Sequence, residues 1–180
     1  MVHFSLSALA SILALTPVIN AVAVPVEPFS FEKWIDGKIS NPNGTHLTAD
    51  EAYEAYMATR LDVDAGSLSK RATCNVHDKV APAADAARAI DYLASIGNQD
   101  CKVKVTQRFS TWGNAEISGN GRGGATVPWV SKCNDIARAA GKVMDTCWRA
   151  DGTVQGSEYA WGNGNIAVHV QRKGTTTVMD

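Results

Sequence analysis

The chain has 180 residues, with 18 acidic and 17 basic side chains, a formal net charge of −1 and 45% hydrophobic residues. A balance this close to neutral lacks the concentrated basic surface of a nucleic-acid binder, so no nucleic acid is expected among its partners. Four cysteines without a CxxC pair suggest two disulfides and exclude a zinc-ribbon reading, and no metal or cofactor is expected.

In chain order, MVHFSLSALASILALTPVINAVA carries an apolar run over residues 6–19 and then Ala21-Val22-Ala23, the small-x-small pattern that signal peptidase accepts. The run is shorter than the roughly 18 to 20 residues of a membrane span. Residues 1–23 are therefore read as a signal peptide and the protein as secreted, extracellular and disulfide-bonded. Residues 24–71 hold eight acids and five bases, net −3, and end in the dibasic pair Lys70-Arg71, a processing site ahead of Cys74. Within this pro-region Thr48 and Glu51 form a T-x-x-E capping box, and Ala52, Tyr53, Tyr56 and Met57 recur at helical spacing, which predicts a helix. Asn43-Gly44-Thr45 is an N-glycosylation sequon, so the predicted glycan on Asn43 sits on the removed part.

Residues 72–180 hold ten acids and twelve bases, net +2, and contain all four cysteines. A mature part of this length suits one domain. After a short strand at 73–76, Pro82 opens a predicted helix that runs to about Ile96 and is capped by Gly97, with Ala83, Ala86, Ala87, Ile90, Leu93 and Ala94 on one face. CKVKVTQRF alternates, placing Cys101, Val103, Val105 and Phe109 on one side of a single half-buried strand. A turn at Thr111-Trp112-Gly113 leads to a second strand at 114–118. Ser131 is the expected N-cap of a helix reaching about Trp148, with Cys133, Ile136, Ala140, Val143, Met144 and Cys147 along its stripe. TVQGSEYAW and NIAVHVQ flank Gly162-Asn163-Gly164 as a terminal hairpin. The order β-α-β-β-α-β-β predicts an α+β fold, a small sandwich of two helices on a mainly antiparallel sheet.

Cys133 and Cys147 lie about 21 Å apart on one helix at 1.5 Å per residue, whereas a disulfide needs Cα atoms within roughly 7 Å. That removes one of the three connectivities. In a β-α-β-β-α arrangement, the strand start at Cys101 lies at the same end as the helix start at Cys133, which favours Cys101–Cys133 and Cys74–Cys147.

Chemistry-bearing residues are sparse. The stretch GNGRGG, with Arg122, suggests an anion cradle, but it is not joined to a helix start and reads as a flexible connection. His77, Glu116, Glu158 and His169 are the groups able to supply the acid and base of a small extracellular hydrolase such as a ribonuclease. Ser131 and Ser157 lack a G-x-S-x-G elbow. Trp112 and Trp161 stand in predicted turns beside Gly113 and Gly162, so they are the first candidates for a contact surface, while Trp129 and Trp148 are assigned to the core.

The signal peptide, the motif WIDGKISNPNGTHLTADEAYEAY, the Lys70-Arg71 end of the pro-region and the four-cysteine domain ending in VQGSEYAWGNGNIAVHV together resemble the small secreted effector and killer-toxin-like proteins of filamentous fungi. The resemblance implies maturation by a kexin-type protease and a small α/β sandwich. It also implies a non-enzymatic role in virulence or elicitation, exerted on a host or competitor cell through a protein, glycan or membrane partner. The alternatives are the extracellular hydrolase and a cell-wall carbohydrate-binding protein.

Overall fold

The computed structural model describes residues 27–60, 72–74, 78–122 and 128–175. The fold is α+β, with four helices among the described residues, a mainly antiparallel sheet and two disulfides, Cys74–Cys147 and Cys101–Cys133. It is one helical layer richer than the sequence suggests.

Two N-terminal helices, α1 (Phe31–Ser40) and α2 (Ala49–Arg60), precede β1 (Thr73–Cys74) and β2 (Ala81–Pro82). Then come α3 (Ala83–Ser95), β3 (Asp100–Val103), β4 (Thr106–Trp112), β5 (Ala115–Gly121) and β6 (Trp129–Lys132). Last are α4 (Cys133–Cys147), β7 (Thr153–Val154), β8 (Gly156–Tyr159) and β9 (Ile166–Arg172). The main sheet has the order β1-β8-β9-β5-β4, with every pairing antiparallel, and β2–β7 and β3–β6 form two small ribbons.

Helices α3 and α4 lie on one face of the sheet and pack against each other. Ile90, Leu93, Ile136, Val143 and Met144 from the helices meet Ile117, Ile166, Val168 and Val170 from the sheet in one core, all fully buried. Alternation along β5 and β9 leaves Glu116, Ser118, His169 and Gln171 on the opposite face.

The outer side of the helical layer is covered in turn by α1 on α4 and α2 on α3. Helix α1, absent from the sequence reading, is capped by Ser30, whose hydroxyl accepts from the Lys33 N–H. Helix α2 starts at the expected capping box, since the Glu51 carboxylate accepts from the Thr48 N–H at 2.8 Å and the Thr48 hydroxyl accepts from the Glu51 N–H at 3.3 Å. Phe31, Trp34, Ile35, Ala52 and Tyr56 are buried between the two layers. Each such large side chain contributes roughly 1.5–3 kcal/mol relative to exposure.

Several elements depart from the sequence reading. CKVKVTQRF is not one strand: the chain bends at Lys104-Val105, β3 pairs with β6 away from the main sheet, and Val105 is exposed. A register shift between Arg108 and Ser110 then resets the alternation around Phe109. The first half of GNGRGG belongs to β5, where it pairs with β4 and β9, and at Gly119 the Phe109 ring occupies the place of a side chain, 2.5 Å from where its Cβ would stand. Ser131 is a residue of β6 and Lys132 takes the cap position of α4 without a side-chain bond. The strand residues expected at 75 and 76 lie outside the described residues.

Candidate functional site

Helix α4 is fastened at both ends. Cys133, its first residue, is bonded to Cys101 of β3, and Cys147, its last, to Cys74 of β1. The N-terminal end faces a surface groove, and the C-terminal end faces the α1–α2 layer.

The groove has a volume of about 450 Å³ and is lined by Asp100, Val130, Ser131, Lys132, Asp135, Trp161, Gly162 and Asn163. Its walls come from three elements: the β3–β6 ribbon, the first turn of α4 and the β8–β9 turn. The β8–β9 turn is tied down by the Trp161 N–H donating to the Asp135 carbonyl at 3.3 Å and the Asn163 amide donating to the Val130 carbonyl at 2.8 Å. Trp161 is 53% exposed, and Val130 and Tyr159 beside it are also open. Arg122 lies over the Tyr159 ring at 5.6 Å, and its carbonyl accepts from the Trp129 indole at 2.8 Å. The Asp100 carboxylate accepts from Lys132 at 2.7 Å, and this hydrogen bond, aided by the ammonium charge, holds its pKa below the usual carboxylate value. Asp135 pairs with Arg138 at 3.0 Å. The result is an open indole face bordered by carboxylates, an ammonium and an amide, on a base pinned by Cys101–Cys133.

Trp112 is equally exposed, at 52%, but it is elsewhere. Ala115 pairs with Arg172 at one end of β9 and Gly121 with Ile166 at the other. The β4–β5 turn beside Trp112 and the β8–β9 turn beside Trp161 therefore occupy opposite ends of the sheet. Trp112 lines its own shallow depression of about 420 Å³ with Tyr92, Arg108 and Phe109.

The acid–base candidates separate. Ser118 pairs with His169 and Glu116 with Gln171, so Glu116 and His169 project from one face as diagonal neighbours, about 7–8 Å apart between backbones. Glu158 pairs with Val168 and so points to the other face, where it meets Lys142 of α4 at 3.5 Å. Glu116 is fully buried and accepts from Arg108 at 3.0 Å, Gln171 at 2.9 Å and the Gly174 N–H at 2.9 Å. A carboxylate with its oxygens engaged in this way orients neighbours rather than exchanging protons with a ligand. His77 and the dibasic pair Lys70 and Arg71, read from the sequence as a processing site, lie outside the described residues. Asn43 is exposed in the α1–α2 loop. Among the described residues no cluster of metal-ligating side chains occurs, and no helix is long and apolar enough to cross a membrane.

Sequence reasoning missed Asp100, Asp135 and Asn163, which β3, the first turn of α4 and the β8–β9 turn bring to one groove, and Tyr159, whose ring lies under Arg122. It also missed Asp145. That carboxylate sits two residues before Cys147 on the side of α4 facing α1, where the Ser30 hydroxyl and the Phe31 and Glu32 N–H groups donate to it at 2.7, 2.7 and 3.0 Å.

Comparison with protein families places residues 69–172 in the family described as a domain of unknown function, DUF8794. The match covers more than half of the chain, which belongs to that family. It begins one residue ahead of Lys70-Arg71 and ends at the last residue of β9. No curated protein and no solved structure matches the chain.

Proposed function

We propose that the protein is a secreted, non-enzymatic contact protein of effector or toxin-like character, exported by residues 1–23, matured at Lys70-Arg71 and acting on a host or competitor cell. The Trp161 groove carries this reading. An exposed indole on a disulfide-pinned base, with polar groups around its rim, is the kind of preorganised surface that binds a partner at low entropic cost. One open aromatic face with carboxylates and an amide suits a polar ring, such as a sugar unit of a cell-surface glycan, better than an acyl surface.

The test is binding of the labelled, oxidised protein to plant and fungal cells, with ion leakage read in parallel. Trp161→Ala should weaken cell binding by about tenfold or more, as loss of a central aromatic anchor does. Trp112→Ala, at the far end of the sheet, should leave binding unchanged. Equal binding by Trp161→Ala and the wild type would reject the groove as the contact site.

A further inference from the structure

We infer that the outer face of α3 and α4 is a helix-binding site whose occupant is the α1–α2 segment, and that this segment stays bound as a second chain after the connection through residues 61–71 is cut. The family-defining stretch begins at Ser69, so the segment lies outside the family domain while completing its helical layer.

The site is built for the N-terminus of a helix. Gly141 of α4 has no side chain, and a Cβ there would stand 3.2 Å from the Glu32 Cα and N and the Phe31 carbonyl carbon, so α1 rests backbone against backbone at this point. One turn further on, the Asp145 carboxylate takes the first N–H groups of α1 together with the Ser30 hydroxyl. These are the donors that a helix start leaves without partners, and a carboxylate there also meets the positive end of the helix. One turn back, Arg138 grips Asp36 at 2.6 Å. Gly141, Asp145 and Arg138 thus form a row on α4 that reads the first two turns of α1.

The segment brings its own aromatic side to this face. Within it Phe31 packs on Tyr56 with ring centroids 4.9 Å apart, and Tyr56 meets the edge of the domain's Trp148, which directly follows α4, at 5.9 Å. The Tyr56 hydroxyl donates to the Met144 carbonyl at 3.2 Å. At the α3 side, Asp50 pairs with Arg88 at 2.7 Å and Lys38 pairs with Asp91. None of these contacts depends on the covalent connection. Departure of the segment would bare the apolar side chains now covered between the two layers and give up the three hydrogen bonds from Ser30, Phe31 and Glu32, which is the reason retention is favoured over release.

The experiment uses the full secreted chain, cut by a kexin-type protease or, where Lys70-Arg71 resists, by a site-specific protease at a recognition sequence replacing 66–71. The cut protein is passed through native size exclusion and each peak is weighed by mass spectrometry. One peak holding one copy of each piece, parted only by denaturant, is the expected result. Phe31→Ala, which leaves the domain's own sequence intact, should weaken the association by at least about tenfold, and Gly141→Leu should do the same from the other side. Elution of the N-terminal piece alone from a folded domain would overturn the inference. So would self-association of the domain in its place, or undiminished association in Phe31→Ala.

Discussion

The α1–α2 layer and the disulfide-bonded domain below it are both well packed, yet they are held in different ways. Two covalent bonds fasten α4 to the strands at either end, whereas the outer layer is held by apolar burial, hydrogen bonds from the first turn of α1 to Asp145 and ion pairs. Neither disulfide reaches the α1–α2 segment, so a cut between the two parts would leave only contacts of the second kind to hold them together. The same helix serves both sides of the comparison: the Cys133 end of α4 frames the Trp161 groove, and the Cys147 end docks α1.

The sharpest way to break the comparison is to remove the covalent half. In the loop-entropy account, Cys74–Cys147, with a sequence separation of 73, contributes about 4.4 kcal/mol, and Cys101–Cys133, with a separation of 32, about 3.7 kcal/mol. Denaturant titration of each paired Cys→Ala variant should show losses of that order. The Cys101–Cys133 variant should in addition lose cell binding, because that bond underlies the groove.

A smaller effect comes from the non-covalent half. Asp145→Ala strips three donors of their acceptor and should cost about 1–3 kcal/mol. The loss should appear as early unfolding of α1, with the disulfide domain melting close to its usual midpoint. A single uniform shift of the whole transition would mean that the layers are one cooperative unit.

The smallest expected effect is the response to pH. Burial raises the pKa of Glu32 against the opposing pull of Lys142, and Asp145, Asp36 and Glu158 raise it further. A raised carboxyl favours the folded state most when protonated, so its contribution grows as pH falls toward the ordinary value of 4.5 and is lost as pH rises through the folded value. Asp100, Asp151 and Glu51 have lowered pKa values through hydrogen bonds to Lys132, Thr153 and Thr48. Their stabilisation is present above the ordinary values of 3.8 and 4.5 and disappears as pH falls through the lowered ones. Thermal melts from about pH 7 to about pH 5 should gain no more than a few tenths of a kcal/mol, given screening, and fall off below about pH 4. A steady decline from neutral pH would contradict this assignment.

Much of the domain was legible because its signals are local. The alanine stripe of α3, the cysteine-bearing stripe of α4 and the alternation of β9 are read from periodicity, and helix length then restricts the disulfide pairing. The Thr48–Glu51 box announced α2 for the same reason. What stayed hidden depends on distant pairing. The bend at Lys104-Val105 is decided by β3 finding β6, across 26 residues from Val103 to Trp129, and no local signal marks it. Helix α1 is an exception: Ser30 ahead of Phe31, Trp34 and Ile35 at helical spacing is a local signal that the sequence reading passed over, although its first turn is completed by Asp145, 114 residues away from Phe31. The groove was half legible: Trp161 was singled out by its turn, while its polar neighbours arrive from three separate elements.

Hydrogen exchange on the intact, oxidised protein tests most directly the claim that the N-terminal segment is a folded layer of the molecule. The account predicts strong protection of amides in α1 and α2, first among them the Phe31 and Glu32 N–H groups held by Asp145, at a level comparable to the outer turns of α4. Exchange of these amides at the rate of an unfolded peptide, beside a protected disulfide domain, would contradict it.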